Sequence, residues 1–212
     1  MRFARLIPFS LAAVLICALA GGTSAADAAA PFTDADPAAR YVPLSLTTTE
    51  GGARRDRLRA VGRILARNPS HPVALTERGF QRHARGEHDL AEADYAAALV
   101  AAGDDTLVRR RVLWSHGWAL FNAGLDQPAL LAWGEAWRLH GGQPFWVPYT
   151  RALAQWRSGQ RDAAVASWDE AVRAMPEWGT DEGLVMRTRY WPRAQFETAS
   201  AVYAAWQEAG RP

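Results

Sequence analysis

One pattern recurs three times along this chain: a glycine, an alanine five positions on, a large ring at nine and another alanine at twelve. Gly86 is followed by Ala91, Tyr95 and Ala98, Gly124 by Ala129, Trp133 and Ala136, and Gly159 by Ala164, Trp168 and Ala171. The glycines stand 38 and 35 residues apart. A period of about 20–50 residues constrains the fold more than composition does, because a unit of that size cannot bury its own apolar face and must stack on its neighbours. The expected architecture is all-α.

Punctuation gives the helices. Pro72 suits a first helical turn, where its missing N–H costs nothing, and the segment from there to Arg85 has no strand-like alternation. Gly86 breaks that helix, and Asp89 opens an alanine-rich one running through Leu90 to Val100. The run Arg78-Gly79-x6-Gly86, then Ala91, Asp94-Tyr95 and Ala98-Leu99, resembles the tetratricopeptide repeat, a helix–turn–helix unit of about 34 residues with small residues where its helices cross. Gly79 and Gly86 mark those positions in the first unit (71–105), with Leu75, Ala91, Tyr95 and Ala98. The second (106–143) carries Leu113, Gly117, Leu120, Gly124, Ala129, Trp133 and Ala136, with Thr106 to Arg109 lengthening the loop before it. The third (144–178) carries Ala152, Gly159, Ala164, Trp168, Ala171 and the exit proline, Pro176. The resemblance implies a right-handed α-solenoid of three repeats. Helices packed about 8–10 Å apart need Gly or Ala where backbones approach, with a large ring beyond.

The pattern also has departures and flanks. Pro148 replaces an aromatic of the third unit, while Arg78, Arg82, His116 and Gln155 stand where the family prefers apolar or aromatic side chains. Residues 53–70 read as an N-terminal capping helix (Leu58, Val61, Ile64, Leu65), with Pro69 at the place of a preceding repeat's exit proline. Residues 179–212 read as C-terminal caps: a short helix over Asp181 to Arg189, then one from Pro192 with Phe196, Ala199, Tyr203 and Trp206 on one face. Terminal units must be atypical, since an uncapped stack exposes its apolar end.

Residues 1–25 read as an export signal: Arg2 and Arg5, an apolar stretch from Leu6 to Ala20, then small residues at Thr23-Ser24-Ala25 or Ala26-Asp27-Ala28. That stretch is short for a membrane span of about 20 residues, so no transmembrane segment is expected after cleavage, and the chain is expected in the periplasm or outside the cell. Cys17, the only cysteine, leaves with the leader. No small residue precedes it, which argues against lipidation. Residues 26–52, with Pro31, Pro37 and Pro43, read as an extended linker. All 24 basic residues are arginine, and two leave with the signal, against 22 acidic residues that all lie at Asp27 or later. The mature chain is therefore close to neutral, which argues against nucleic acid as a partner.

Tryptophan stands out, with ten copies, all in or after the second repeat. The resemblance implies that inner helices line a concave groove. It maps Phe80 of the first repeat, Arg111, Trp114, Trp118, Phe121 and Asn122 of the second, and Trp146, Tyr149, Trp156 and Arg157 of the third onto that groove. Aromatics and arginine are enriched at binding hot spots, so the expected role is a non-enzymatic adaptor holding a peptide or a protein domain. The bland reading packs the same rings between repeats; Trp133, Trp137 and Trp168, on the outer helices, are assigned to the core. The family's carboxylate-clamp positions hold Val73, Thr76, Glu77 and Phe80, then Arg111, Trp114, Ser115 and Trp118, then Trp146, Tyr149, Thr150 and Leu153, so only Arg111 could grip a carboxylate.

Other chemistry is less prominent. Arg78 and Asp94 are expected to bridge the two helices of the first repeat through a bidentate contact. The clusters Arg54-Arg55-x-Arg57-x-Arg59 and Arg109-Arg110-Arg111 suit either solvated helix starts and loops or contact with an acidic surface or lipid headgroups, and Arg-bearing surfaces of that kind would make the chain an assembly brace. A glycan-binding module or an enzyme acting on an envelope polymer carries less weight, the latter because it would need two facing carboxylates. His71, His83, His88, His116 and His140 are scattered in sequence and form no metal-ligand motif, so no metal or cofactor is expected.

Overall fold

The computed structural model describes residues 51–210. Among them 81% are helical and none forms a strand. The helices are α1 (Gly51–Arg67), α2 (Pro72–His83), α3 (His88–Ala102), α4 (Thr106–Asn122), α5 (Asp126–His140), α6 (Trp146–Arg157), α7 (Arg161–Ala174), α8 (Asp181–Thr188) and α9 (Arg193–Glu208), with a 3-10 turn at Pro176–Gly179. Residues 1–25, read as a signal, and nearly all of the stretch read as a linker lie outside the described residues. Gly51 and Gly52, expected in the linker, instead open α1.

Three helical hairpins follow one another: α2–α3, α4–α5 and α6–α7. Their turns close identically. Gly86, Gly124 and Gly159 have φ of 76°, 83° and 78°, a left-handed conformation that a Cβ disfavours. Each donates its N–H to the carbonyl three residues back (His83, Phe121, Trp156), and the next residue donates to the carbonyl five back (Arg82, Leu120, Gln155). This is the Schellman arrangement, which satisfies carbonyls that a helix end would otherwise orphan. Each alanine at +5 then donates to the residue just after the glycine, starting the second helix in the same register.

The hairpin crossings explain the small residues. Ala91, Ala98, Ala129, Ala136, Ala164 and Ala171 are fully buried. Gly79, Gly117 and Ala152 repeat at the spacing of the turn glycines, and each sits in the first helix of its hairpin. A Cβ on Gly79 would lie 3.1 Å from the Tyr95 ring, and one on Gly117 only 2.3 Å from Trp133 Nε1. Trp133 turns that nitrogen onto the Trp114 carbonyl, 3.2 Å away.

Successive hairpins pack through α2 on α4, α3 on α4 and α5 on α6. At the N-terminal end α1 packs on α2, with Val61 and Leu65 buried while Leu58 and Ile64 stay exposed. At the other end α9 packs on α6 and α7 through Ala199, Val202, Tyr203 and Trp206, leaving Phe196 at the exposed margin. Thr106 to Arg109 are not a lengthened loop. They form the first turn of α4, because the Asp105 side chain accepts from Val108 N (3.0 Å) and caps the helix there. Pro148 fits α6 because it falls in the first turn, where N–H groups have no helical partner.

Gly117→Ala is expected to destabilise the fold by about 1–3 kcal/mol through overpacking, outweighing the roughly 1 kcal/mol that alanine gains in a helix. Gly134→Ala on α5, where nothing lies within 4 Å of the added carbon, should stabilise by about 0.5–1 kcal/mol. Paired denaturant melts check both signs.

Candidate functional site

The aromatic face is present, and its rings are inside. Trp118 is 1% exposed and Phe121 fully buried, and Phe80, Trp114, Trp146 and Tyr149 are buried with them. These rings, assigned to the groove, are buried rather than open, and part of their cover is the chain's own C-terminal segment. Trp191, just before α9, places its ring 5.4 Å from Trp118, 5.9 Å from Tyr149 and 5.9 Å from Trp178. Asn122, exposed on α4, accepts a hydrogen bond from Gln195 on α9. Burial pushes the Tyr149 hydroxyl pKa well up.

The polar members of that face are tied internally. Arg157 stacks over the Phe121 ring (4.1 Å), donates to the Phe121 carbonyl (2.7 Å) and pairs with Asp126 (3.0 Å). It joins the third hairpin to the turn of the second rather than orienting a ligand. Half-buried Trp156 is capped by Arg161 at 3.7 Å, and half-buried Arg111 is engaged too. On the outer helices Trp133 and Trp168 are buried as expected, while Trp137 is half-buried and donates to the Gly142 carbonyl (2.7 Å). Arg109 donates to the carbonyls of Leu99 and Gly103.

The four polar departures from the repeat template all tie helices together. Arg78 forms the expected fork on Asp94 (Nε to Oδ2 2.9 Å, Nη2 to Oδ1 2.6 Å), and Arg82 adds a third bond at 2.7 Å. Gln155 accepts from Ser167, which also accepts from Arg151 (2.9 Å). His116 on α4 donates from Nε2 to Glu92 Oε1 on α3, 2.8 Å away. His83, at the end of α2, points its Nε2 at that same oxygen, also at 2.8 Å.

This convergence corrects the expectation that the histidines stay apart. Three helices deliver two imidazoles and a carboxylate whose ligand-capable atoms all lie within 4.8 Å of one another. The His83 side chain is 2% exposed, that of His116 16% and that of Glu92 49%, so the group is closed on the protein side and open beside the carboxylate. His88 completes it from the start of α3, its Nδ1 2.9 Å from His83 Nδ1. His116 stacks on Tyr95 at 4.2 Å, and the Tyr95 hydroxyl meets Ser115 Oγ at 3.3 Å.

No protein-family model, curated protein or solved structure matches this chain.

The network assigns the protons. Glu92 Oε1 can only accept, so both Nε2 atoms carry hydrogen. His83 Nδ1 is then an acceptor for the His88 Nδ1–H. Burial opposes ionisation of Glu92, yet the hydrogen bonds and charges of His116 and His83 outweigh it and hold the carboxyl below its ordinary value. Burial lowers the His116 pKa, against the pull of Glu92 and helped by His83. The sequence signal for this cluster was His116 itself, a polar residue at an apolar repeat position.

Asp94→Asn should cost about 1–3 kcal/mol, since Asp94 is buried and its loss leaves two guanidinium groups without a carboxylate, partial exposure of Arg78 moderating the effect. A denaturant midpoint unchanged from the parent would contradict this.

Proposed function

We propose that the protein is an exported, non-enzymatic adaptor, a right-handed solenoid of three tetratricopeptide-type repeats with capping helices, which holds a protein or peptide partner on its aromatic inner face. The observation that carries this reading is the identical closure of three successive hairpins, from the left-handed glycine to the buried alanines beyond it. Stacked hairpins of this kind build extended surfaces suited to binding.

Trp191 and Gln195 sit where a partner would, so they act as an internal stand-in. A partner segment enters by displacing the Trp191 ring from Trp118 and Tyr149, and the half-buried state of Trp191 makes that exchange feasible. The Trp191→Ala variant should lose about 2–3 kcal/mol of stability and bind partner more strongly.

Site-specific photocross-linking tests the face. A cross-linker at exposed Asn122 should capture a discrete adduct in the envelope fraction, with higher yield in Trp191→Ala, while one at Leu131, 76% exposed on the outer helix α5, should not. Equal adducts from both positions, or none from position 122, would count against it. Export is checked separately: the chain should fractionate with the envelope and begin near Ala26 or Ala29 on N-terminal sequencing.

A further inference from the structure

The His83–Glu92–His116 cluster is used by nothing in the adaptor reading, and its geometry has a chemistry of its own. We propose that it is a binding site for a single divalent transition-metal cation, zinc being the best match, held by His83 Nε2, His116 Nε2 and a Glu92 carboxylate oxygen. Two imidazoles and a carboxylate form a borderline-soft donor set that suits zinc and excludes calcium and magnesium, which take oxygen ligands.

Three features support it. First, the donors already point at one place: both Nε2 atoms lie 2.8 Å from the same Glu92 oxygen. Zinc–ligand distances of about 2.0–2.1 Å set tetrahedral edges of about 3.3–3.4 Å, so each imidazole nitrogen and the carboxylate oxygen must part by about half an ångström, and all three atoms already lie within 4.8 Å of one another. Glu92, half exposed at 49%, is the ligand free to make that move. Second, the metal-binding tautomer has a partner waiting. A cation displaces the two Nε2 hydrogens, and each neutral imidazole then carries its hydrogen on Nδ1; exposed His88 shifts its own hydrogen to Nε2, so that His83 Nδ1–H donates to His88 Nδ1, 2.9 Å away. Such an outer partner fixes the orientation of a metal-ligating histidine. Third, the open side at Glu92 gives the cation a route in and leaves a fourth coordination position facing solvent. The ligands come from α2, α3 and α4, so the ion would also lock the first hairpin to the second.

Zinc titration of the purified chain by calorimetry, together with Co²⁺ substitution, tests the site. The expected result is one equivalent bound, visible Co²⁺ bands of four- or five-coordinate type, and a melting temperature raised by zinc. His116→Ala should abolish the Co²⁺ bands. Because removing a buried imidazole can unfold the chain, two gentler variants accompany it: Glu92→Gln, and exposed His88→Ala. Each should keep its helical circular dichroism while binding zinc at least about tenfold more weakly. Absence of Co²⁺ bands in the parent chain would overturn the proposal. So would zinc binding equally well to parent, His116→Ala and Glu92→Gln, which would place the ion elsewhere.

Discussion

The close crossing of the two helices within each hairpin is the contact on which the rest of the structure depends. A residue with little or no side chain in the first helix lets a ring from the second lie against its backbone, most tightly where Trp133 meets Gly117. Once that distance is fixed, the alanines five and twelve residues beyond each turn glycine are forced to full burial. The left-handed turn then has one job, returning the chain at the right angle. Rings, alanines and turn are consequences of one steric condition, applied three times.

The polar ties act on a frame already set by that condition. A repeat made only of apolar crossings could slide by a helical turn without a large change in buried area. Asp94, gripped by Arg78 and Arg82, and Ser167, held between Arg151 and Gln155, penalise such slippage because each would leave a desolvated polar group unpaired. Buried polar contacts are costly in themselves, and register is where they return that cost.

The hairpins were legible in the sequence because their signals are local: a turn glycine, small residues at crossing positions and a ring at +9. The Arg78–Asp94 bridge followed from the same register. Two features were not legible. The aromatic face was expected to be open, and part of its cover comes from Trp191, 73 residues beyond Trp118, at a position the repeat register does not reach. The histidine cluster was missed because positions 83, 92 and 116 have no motif spacing and meet only when two hairpins stack. Yet the polar residues singled out as exceptions to the template, Arg78, Arg82, His116 and Gln155, all turned out to make interhelical contacts. An exception at a repeat position was the informative residue.

The tryptophans have an optical consequence. Trp133, Trp118, Trp191, Trp178 and Trp168 form an unbroken series with neighbouring centroids 5.2–5.9 Å apart, close enough for their electronic transitions to couple and for excitation to hop between them. The first hairpin contains no tryptophan. Intrinsic fluorescence will therefore follow the second half of the molecule as one collective emitter, while α1 to α3 melt or tighten almost unseen. Tyr95, stacked on His116, is the native chromophore placed to report on the dark half.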